Sequence, residues 1–327
     1  CRTEHELSEE LRKKMALFCN VKYEAVIQSI DVDTIYDVPL KMLDEGLDKV
    51  VLDRLKLNPK EKIDLTQWNE FLKKYKNPKS KIKIGLVGKY VELQDSYKSI
   101  LEAFIHAGAV NEVEIEVVSI HSEHISNKNY EIMLDGLHGL LVAPGFGERG
   151  IEGKIKSVEY VRKNKIPFFG ICLGMQMAVI EYSRNVLGLD AANSTEMTND
   201  TKYPVIDLME SQKNIKSKGG TMRLGSWKCL LTKNSLVSDI YGKSNINERH
   251  RHRFEFNNKF SKIIFSKTFK ASGINPDTGL IEIIELKDHP WFVGVQFHPE
   301  YKSTVSEPHP LFVSFVSAAL NYSKLKL

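Results

Sequence analysis

Cysteine is scarce. The four in 327 residues, Cys1, Cys19, Cys172 and Cys229, are too few and too scattered for a disulfide framework, and they form no C-x-x-C metal pattern. A reducing compartment, the cytosol, is therefore expected. A strong charge of one sign is also lacking. The 46 Lys and Arg against 42 Asp and Glu leave a net +4, too little to point to nucleic acid or a membrane surface. No apolar run approaches the roughly 18 residues a membrane helix requires. Low-complexity tracts and internal repeats are absent as well. What is present, 42% hydrophobic and 27% charged residues, describes a globular chain long enough for one large core and a smaller one. The opening "CRTEHELSEELRKK" begins at Cys1 rather than methionine, so the chain is expected to continue something longer.

Two textures divide the sequence. Residues 1–79 are lysine-rich and helical in pattern, with Thr3 and Glu6 spaced as a capping box before an apolar stripe of Leu7, Leu11, Met15 and Phe18. "KYKNPKSK" (74–81) reads as a polar linker. From residue 80 to 327, "KIKIGLVG", "EIEVVSI", "HGLLVAP" and "IPFFGI" are short β-rich runs separated by amphipathic helical patterns. That alternation predicts an α/β fold, an open, mostly parallel, doubly wound sheet. Its first helix is expected to start at an Asp95 cap and end at Gly108. After about residue 220 strands dominate, and these add antiparallel neighbours before a last helix near 309–324.

Chemistry concentrates at "GICLG" (170–174). Strand running into helix puts Cys172 at the carboxyl edge of the sheet, where open α/β folds gather ligands. Glycines two residues to either side permit the sharp turn of a nucleophile elbow. A free thiol has a pKa near 8.5, and the helix N-terminus supplies at best about 2 of the ~2.7 kcal/mol wanted to lower it by two units. A basic neighbour is needed. "VGVQFHPEY" (293–301) offers His298 at the end of an apolar strand with Glu300 two residues on, so that both face the same way. "LVAPGFGERG" (141–150) supplies a glycine loop after another strand. The N–H groups of Gly145 and Leu173 could there bind an oxyanion, although a phosphate cradle or plain turn would look similar. In "ERHRHRFEFN" (248–257) alternation sets Arg249, Arg251 and Arg253 opposite His250 and His252, which suits an arginine aimed at a ligand carboxylate. A metal on the two histidines is the disfavoured reading, and no metal is expected.

Cysteine elbow, glycine loop and His-x-Glu in this order resemble a class I glutamine amidotransferase. With "GKYVELQDSYKSI", "FGERGIEGKI", "NSTEM", "GGTMRLG" and "HPWFVGVQFHPEY", residues 81–327 resemble the CTP synthase family in particular, and residues 1–60 resemble the end of its synthetase domain. The resemblance implies Cys172 as nucleophile, His298 as proton carrier and Glu300 as its orienting partner. It implies an L-glutamine site of Gly145, Phe146, Leu173, Gly174, Met175, Gln176, Glu196 and Arg253, with Glu196 on the α-ammonium and Arg253 on the α-carboxylate. Ile30, Asp31 and Val32 resemble a remnant of the ATP-contacting stretch. No cofactor is implied for glutamine hydrolysis. The intact enzyme, with its N-terminal synthetase domain as partner, is expected to use ATP and Mg²⁺ to aminate UTP, to respond to GTP as activator, and to be a homo-oligomer when full length. The present chain alone is not expected to make CTP. Where that family usually reads P-G-G-F-G, this chain has Ala143-Pro144-Gly145-Phe146-Gly147, so the loop donor must be Gly145. Another amidotransferase, a γ-glutamyl hydrolase and a silent regulatory module are the alternative readings.

Overall fold

The computed structural model describes residues 1–59, 63–209 and 222–326. Its contacts divide the chain into two compact units, Cys1–Lys73 and Lys74–Leu327.

In the first unit the elements are β1 (Arg2–Thr3), α1 (Glu9–Cys19), β2 (Ser29–Ile30), α2 (Val38–Asp44), α3 (Leu47–Leu55) and α4 (Thr66–Lys76), the last running across the division. Strands β1 and β2 pair in parallel. Ser8, not Thr3, caps α1, its side chain accepting from the Leu11 N–H. Thr3 is spent in β1, so the expected capping box does not form. Much of the predicted stripe is also exposed, Phe18 at 79% and Leu11 at 49%. Tyr36, Trp68 and Phe71 pack together in this unit, Tyr36 and Phe71 edge to face at 4.8 Å.

The second unit opens with β3 (Ser80–Gly88), α5 (Lys98–Asn111), β4 (Val113–His121), α6 (Tyr130–Leu134), β5 (Gly139–Val142), α7 (Ile151–Asn164), β6 (Phe168–Ile171) and α8 (Leu173–Asn185). Then follow β7 (Ala192–Ser194), β8 (Tyr203–Leu208), β9 (Arg223–Leu231), α9 (Leu236–Tyr241), β10 (Asn245–His252), β11 (Phe254–Phe256) and α10 (Ser261–Ile264). It ends with β12 (Phe269–Ile274), β13 (Ile281–Leu286), β14 (Phe292–Val295) and α11 (Pro310–Leu325). Among the described residues nine strands form one sheet in the order β10-β9-β12-β13-β14-β6-β5-β3-β4. The run from β14 to β4 is parallel and the run from β10 to β14 antiparallel. A small sheet, β11-β8-β7, lies beside it.

Alternation along the parallel strands feeds two cores. Ile84, Leu86, Leu141 and Phe169 pack with Phe104 of α5 and Phe312 and Phe315 of α11. Their neighbours Val87, Leu140, Val142 and Phe168 pack with Ile155 and Val158 of α7 and Met177 and Ile180 of α8. Both faces of the sheet are thereby covered by helices, which is why its strands read as unbroken apolar runs.

Three local expectations are corrected. Residues 74–76 finish α4 and 80–81 begin β3, so little of "KYKNPKSK" is linker. Asp95 lies inside a 3-10 turn (Gln94–Tyr97) and does not cap α5, whose N-cap is Tyr97. Gly108 does not end α5 either. A Cβ there would stand 2.8 Å from the Val113 carbonyl oxygen, so this glycine lets helix and strand approach. No described helix is long and apolar enough to cross a membrane.

Candidate active site

Strand β6 delivers Cys172 to the carboxyl edge of the parallel block. The turn into α8 is so abrupt that Cys172 takes φ +53° and ψ −104°, a region an L-residue occupies only at a cost of order 1–3 kcal/mol. Its backbone is pinned by a hydrogen bond from its N–H to the Val295 carbonyl at 2.7 Å. The flanking glycines are sterically required. A Cβ at Gly170 would meet the Gly174 carbonyl carbon at 2.7 Å, and one at Gly174 would meet the Val142 oxygen at 2.2 Å.

Strand β14 pairs with β6 through Ile171 and Val295, so the segment leaving it passes beside the elbow. Strand geometry ends at Val295, however, and Glu300 lies in a 3-10 turn, Pro299–Tyr301, with proline at its first position. This corrects the reason expected for the pair. The proline's fixed φ starts a helical turn, and the turn, not strand alternation, brings the Glu300 Oε1 within 2.7 Å of His298 Nδ1. Tyr301 stacks on the imidazole, centroids 5.0 Å apart and planes 9° from parallel.

Cys172, His298 and Glu300 are all buried, each 5% exposed or less. Burial by itself would lower the imidazole's pKa, yet the charge of the Cys172 sulfur and the Glu300 hydrogen bond together raise it well above the ordinary 6.5. His298 Nε2 forms no hydrogen bond of ordinary geometry among the described residues. The sulfur is the group that raises the ring's pKa most. This is the arrangement of a nucleophile and a base held ready for a substrate between them.

A cavity of about 460 Å³ opens over the sulfur, lined by Cys172, His298, Gly145, Phe146, Gln176, Glu196 and Arg253. Seven of the expected site residues thus share one wall. Leu173, Gly174 and Met175 form the buried first turn of α8 instead. Leu173 is at the first helical position, where a backbone N–H has no acceptor inside the helix. The Glu196 carboxylate accepts from the Gly147 N–H at 2.9 Å, which commits that donor. Ile30, Asp31 and Val32 belong to the first unit, where Asp31 makes an exposed ion pair with Arg2 at 3.0 Å. Of "GGTMRLG", Gly219, Gly220 and Thr221 lie outside the described residues, while Met222 lines the cavity.

The loop also spells G-x-G-x-x-G across Gly145, Gly147 and Gly150, the spacing of a dinucleotide fingerprint. Its surroundings differ from that motif. Gly150 and Gly153 seat α7 on the Ser122 turn, their would-be Cβ atoms 2.1 Å from the Ser122 Oγ and 1.9 Å from its carbonyl oxygen. The next strand, β6, is followed directly by Cys172 and not by the acidic residue that would hold a ribose.

Two features escaped the sequence. The Gln296 amide donates to the Cys172 sulfur at 3.7 Å and accepts from Gln176 Nε2 at 3.2 Å, tying the thiol to the first turns of α8. Strand β10 buries His250 and His252, the latter in the cavity wall, and the two bond to each other at 2.8 Å. Acidic partners do stand near them: Glu282 is 3.6 Å from His250 and Glu255 is 3.8 Å from His252, and Arg223 bonds Glu282 at 2.7 Å. Burial pushes both histidines down, His252 to about 3, and lifts Glu255 to about 8. Arg251 and Arg253 reach the cavity.

Comparison with known proteins agrees with this geometry. Residues 92–318 match the family model for glutamine amidotransferase class-I, and residues 1–57 match that for the CTP synthase N-terminus. CTP synthase of Flavobacterium johnsoniae is 66% identical over 99% of this chain, and that of Flavobacterium psychrophilum 67% identical over 98%. The chain spans 60% of the length of each of these relatives. Among solved structures, the glutaminase domain of Trypanosoma brucei CTPS with bound acivicin is 34% identical, with TM-score 0.69, covering 73% of this chain and 94% of that one. The chain belongs to the class-I glutamine amidotransferase family, on the branch formed by the CTP synthases.

Proposed function

We propose that the second unit hydrolyses the side-chain amide of L-glutamine and that, in the intact protein, the ammonia aminates UTP to CTP at the expense of ATP. The observation that carries this reading is the strained Cys172 sharing one cavity with His298, whose ring is held from behind by Glu300 at 2.7 Å. Residues 1–79 are assigned to the end of the synthetase domain and its linker, and residues 80–327 to the amidotransferase. Ile30 to Val32 would then be the remnant of the ATP site, with Mg²⁺ and the GTP response belonging to the whole enzyme. A homo-oligomer and a cytoplasmic location go with that reading.

In the reaction, the Cys172 thiolate adds to the γ-carbonyl carbon, and the C=O electron pair moves onto oxygen. The N–H groups of Gly145 and Leu173 stabilise that oxyanion. The His298 imidazolium gives its Nε2 proton to the amide nitrogen, the C–N bond breaks, and ammonia leaves a γ-glutamyl thioester. His298 then takes a proton from water, whose oxygen attacks the thioester. Collapse expels the Cys172 thiolate, the released γ-carboxylic acid loses its proton to solvent as glutamate, and His298 keeps its proton, which restores the thiolate–imidazolium pair. Glu300 holds the ring through Nδ1 throughout, Glu196 receives the substrate's α-ammonium, and Arg253 its α-carboxylate.

The binding of acivicin by the Trypanosoma brucei domain supplies the test. The chain is incubated with acivicin and digested for mass spectrometry, and ammonia release is compared with Cys172→Ala. Labelling confined to Cys172 and loss of release in the variant are expected; a label elsewhere, or equal release, refutes the assignment.

A further inference from the structure

The loop Ala143–Gly147 must aim one N–H at the reacting carbonyl, yet its backbone is tied to a neighbouring strand only at its first residue, where the Ala143 N–H donates to the Val87 carbonyl at 3.0 Å. Strand β5 ends at Val142, and Pro144 has no N–H. Three charged side chains grip the loop instead. Lys154 Nζ donates to the Ala143 carbonyl at 2.9 Å. Lys89 Nζ donates to the Phe146 carbonyl and lies over the Phe146 ring, 4.3 Å from its centroid. Glu196 accepts from the Gly147 N–H, the other end of the peptide group that Lys89 holds. One peptide plane is thus fixed before Gly145 and one after it.

Lys154 is the unusual member. It projects from α7 and is 1% exposed, although lysine is almost never fully buried unless paired. Among the described residues no carboxylate acts on it. Burial and the Lys89 charge push its pKa down to about 7, while the Cys172 side chain pulls the other way. A Cβ on Gly145 would stand 3.6 Å from its Nζ, so the ammonium lies directly behind the residue expected to donate. A methionine would fill the same volume without the desolvation cost. Keeping this amine here gains two things: a fixed Ala143 peptide, and, in its protonated form, a positive field where the tetrahedral oxyanion forms.

We propose that Lys154 and Lys89 form a two-point clamp that presets the Gly145 N–H, making Lys154 a positioning residue for the glutaminase step. The inference rests on the function proposed above. Its test compares the full chain with Lys154→Met and Lys154→Arg in two ways. Amide hydrogen exchange at Ala143, Gly145, Phe146 and Gly147 in the unliganded protein needs no turnover. It is expected to quicken about tenfold or more in Lys154→Met, with β6 unchanged, and to be largely restored in Lys154→Arg. For glutamine hydrolysis, kcat is expected to fall 10- to 100-fold with KM within threefold, since losing a whole oxyanion donor costs about 10²–10³. Affinity for the γ-aldehyde analogue of glutamine, which forms a tetrahedral adduct with the thiol, is expected to fall in step with kcat. Loop exchange and kcat both within twofold of the parent overturn the clamp, as does a lowered melting point with unchanged loop exchange. A parent chain that never hydrolyses glutamine refutes the functional reading, while the exchange comparison still decides the clamp. If Lys154→Met does not fold, Lys89→Met removes the other anchor and is read the same way.

Discussion

Adding one methyl group at Gly174 opposes two effects of known sign. In an exposed helix, glycine to alanine stabilises by about 1 kcal/mol. At Gly174 the new Cβ would stand 2.2 Å from the Val142 carbonyl oxygen, against 3.4 Å for ordinary contact. Because the obstacle is backbone of a central strand, α8 must retreat by about 3.4 − 2.2 = 1.2 Å. Overpacking of this kind costs roughly 1–3 kcal/mol, so the net expectation is a loss of about 0–2 kcal/mol. Activity is expected to suffer more. Cys172 precedes the helix directly, and its 2.7 Å hydrogen bond to Val295 cannot absorb a 1.2 Å shift and remain a bond. Misplacing a reacting group by about 1 Å can cost 10²-fold, and Gly174→Ala should lower kcat/KM for glutamine by that order. Urea titration of the second unit's transition, beside ammonia-release kinetics, measures both. A variant about 1 kcal/mol more stable than the parent, with unchanged kinetics, would refute the close-approach argument for the elbow.

Other perturbations follow from the same geometry. Glu300→Gln removes a group that raises the His298 pKa, so an NMR titration of that imidazole should show its midpoint moving down, with kcat reduced about 10²-fold or more. Because the folded pKa is raised, its stabilisation is complete below the unfolded value near 6.5 and fades as pH climbs through the folded one; the variant should lose stability mainly on the acid side. Gln296→Leu deprives the sulfur of its amide donor and should slow both turnover and alkylation of Cys172 about tenfold, consistent with a net hydrogen bond of about 1–1.5 kcal/mol. Lys154 binds its proton less tightly when folded, about 7 against an ordinary 10.5. Between those values the unfolded chain holds more protons, so parental stability relative to Lys154→Met should rise with pH. Urea midpoints at pH 6 and pH 9 that differ equally for both proteins would contradict the buried lysine.

The elbow was legible because every signal for it is local: a short β-rich run, a helical pattern and glycines two residues to either side of a cysteine. His298 and Glu300 were legible for the same reason, though the turn that unites them was not, since Pro299 fits a strand exit and a helix start alike. Gln296, Lys89 and Lys154 could not be found this way. Lys154 lies within α7, while Lys89 and Gln296 lie just past the ends of β3 and β14, and each gains its contacts only from what the fold sets opposite it. Gly108 misled for the converse reason: a helix-ending residue type was needed in mid-helix because β4 comes so near. The two-sided sheet followed from the alternating patterns, but its order, with β14 beside β6, depends on long-range pairing that no window of sequence contains.

That adjacency has a consequence for how the chain can change over time. Sulfur and imidazole ride on neighbouring strands whose backbones are bonded to each other, so the long stretch joining α8 to β14 is mechanically in parallel with the reaction centre. Segments within it can lengthen, shorten or be exchanged for other recognition surfaces while the reacting atoms keep their spacing, which makes this span the natural place for relatives of this fold to acquire different clients.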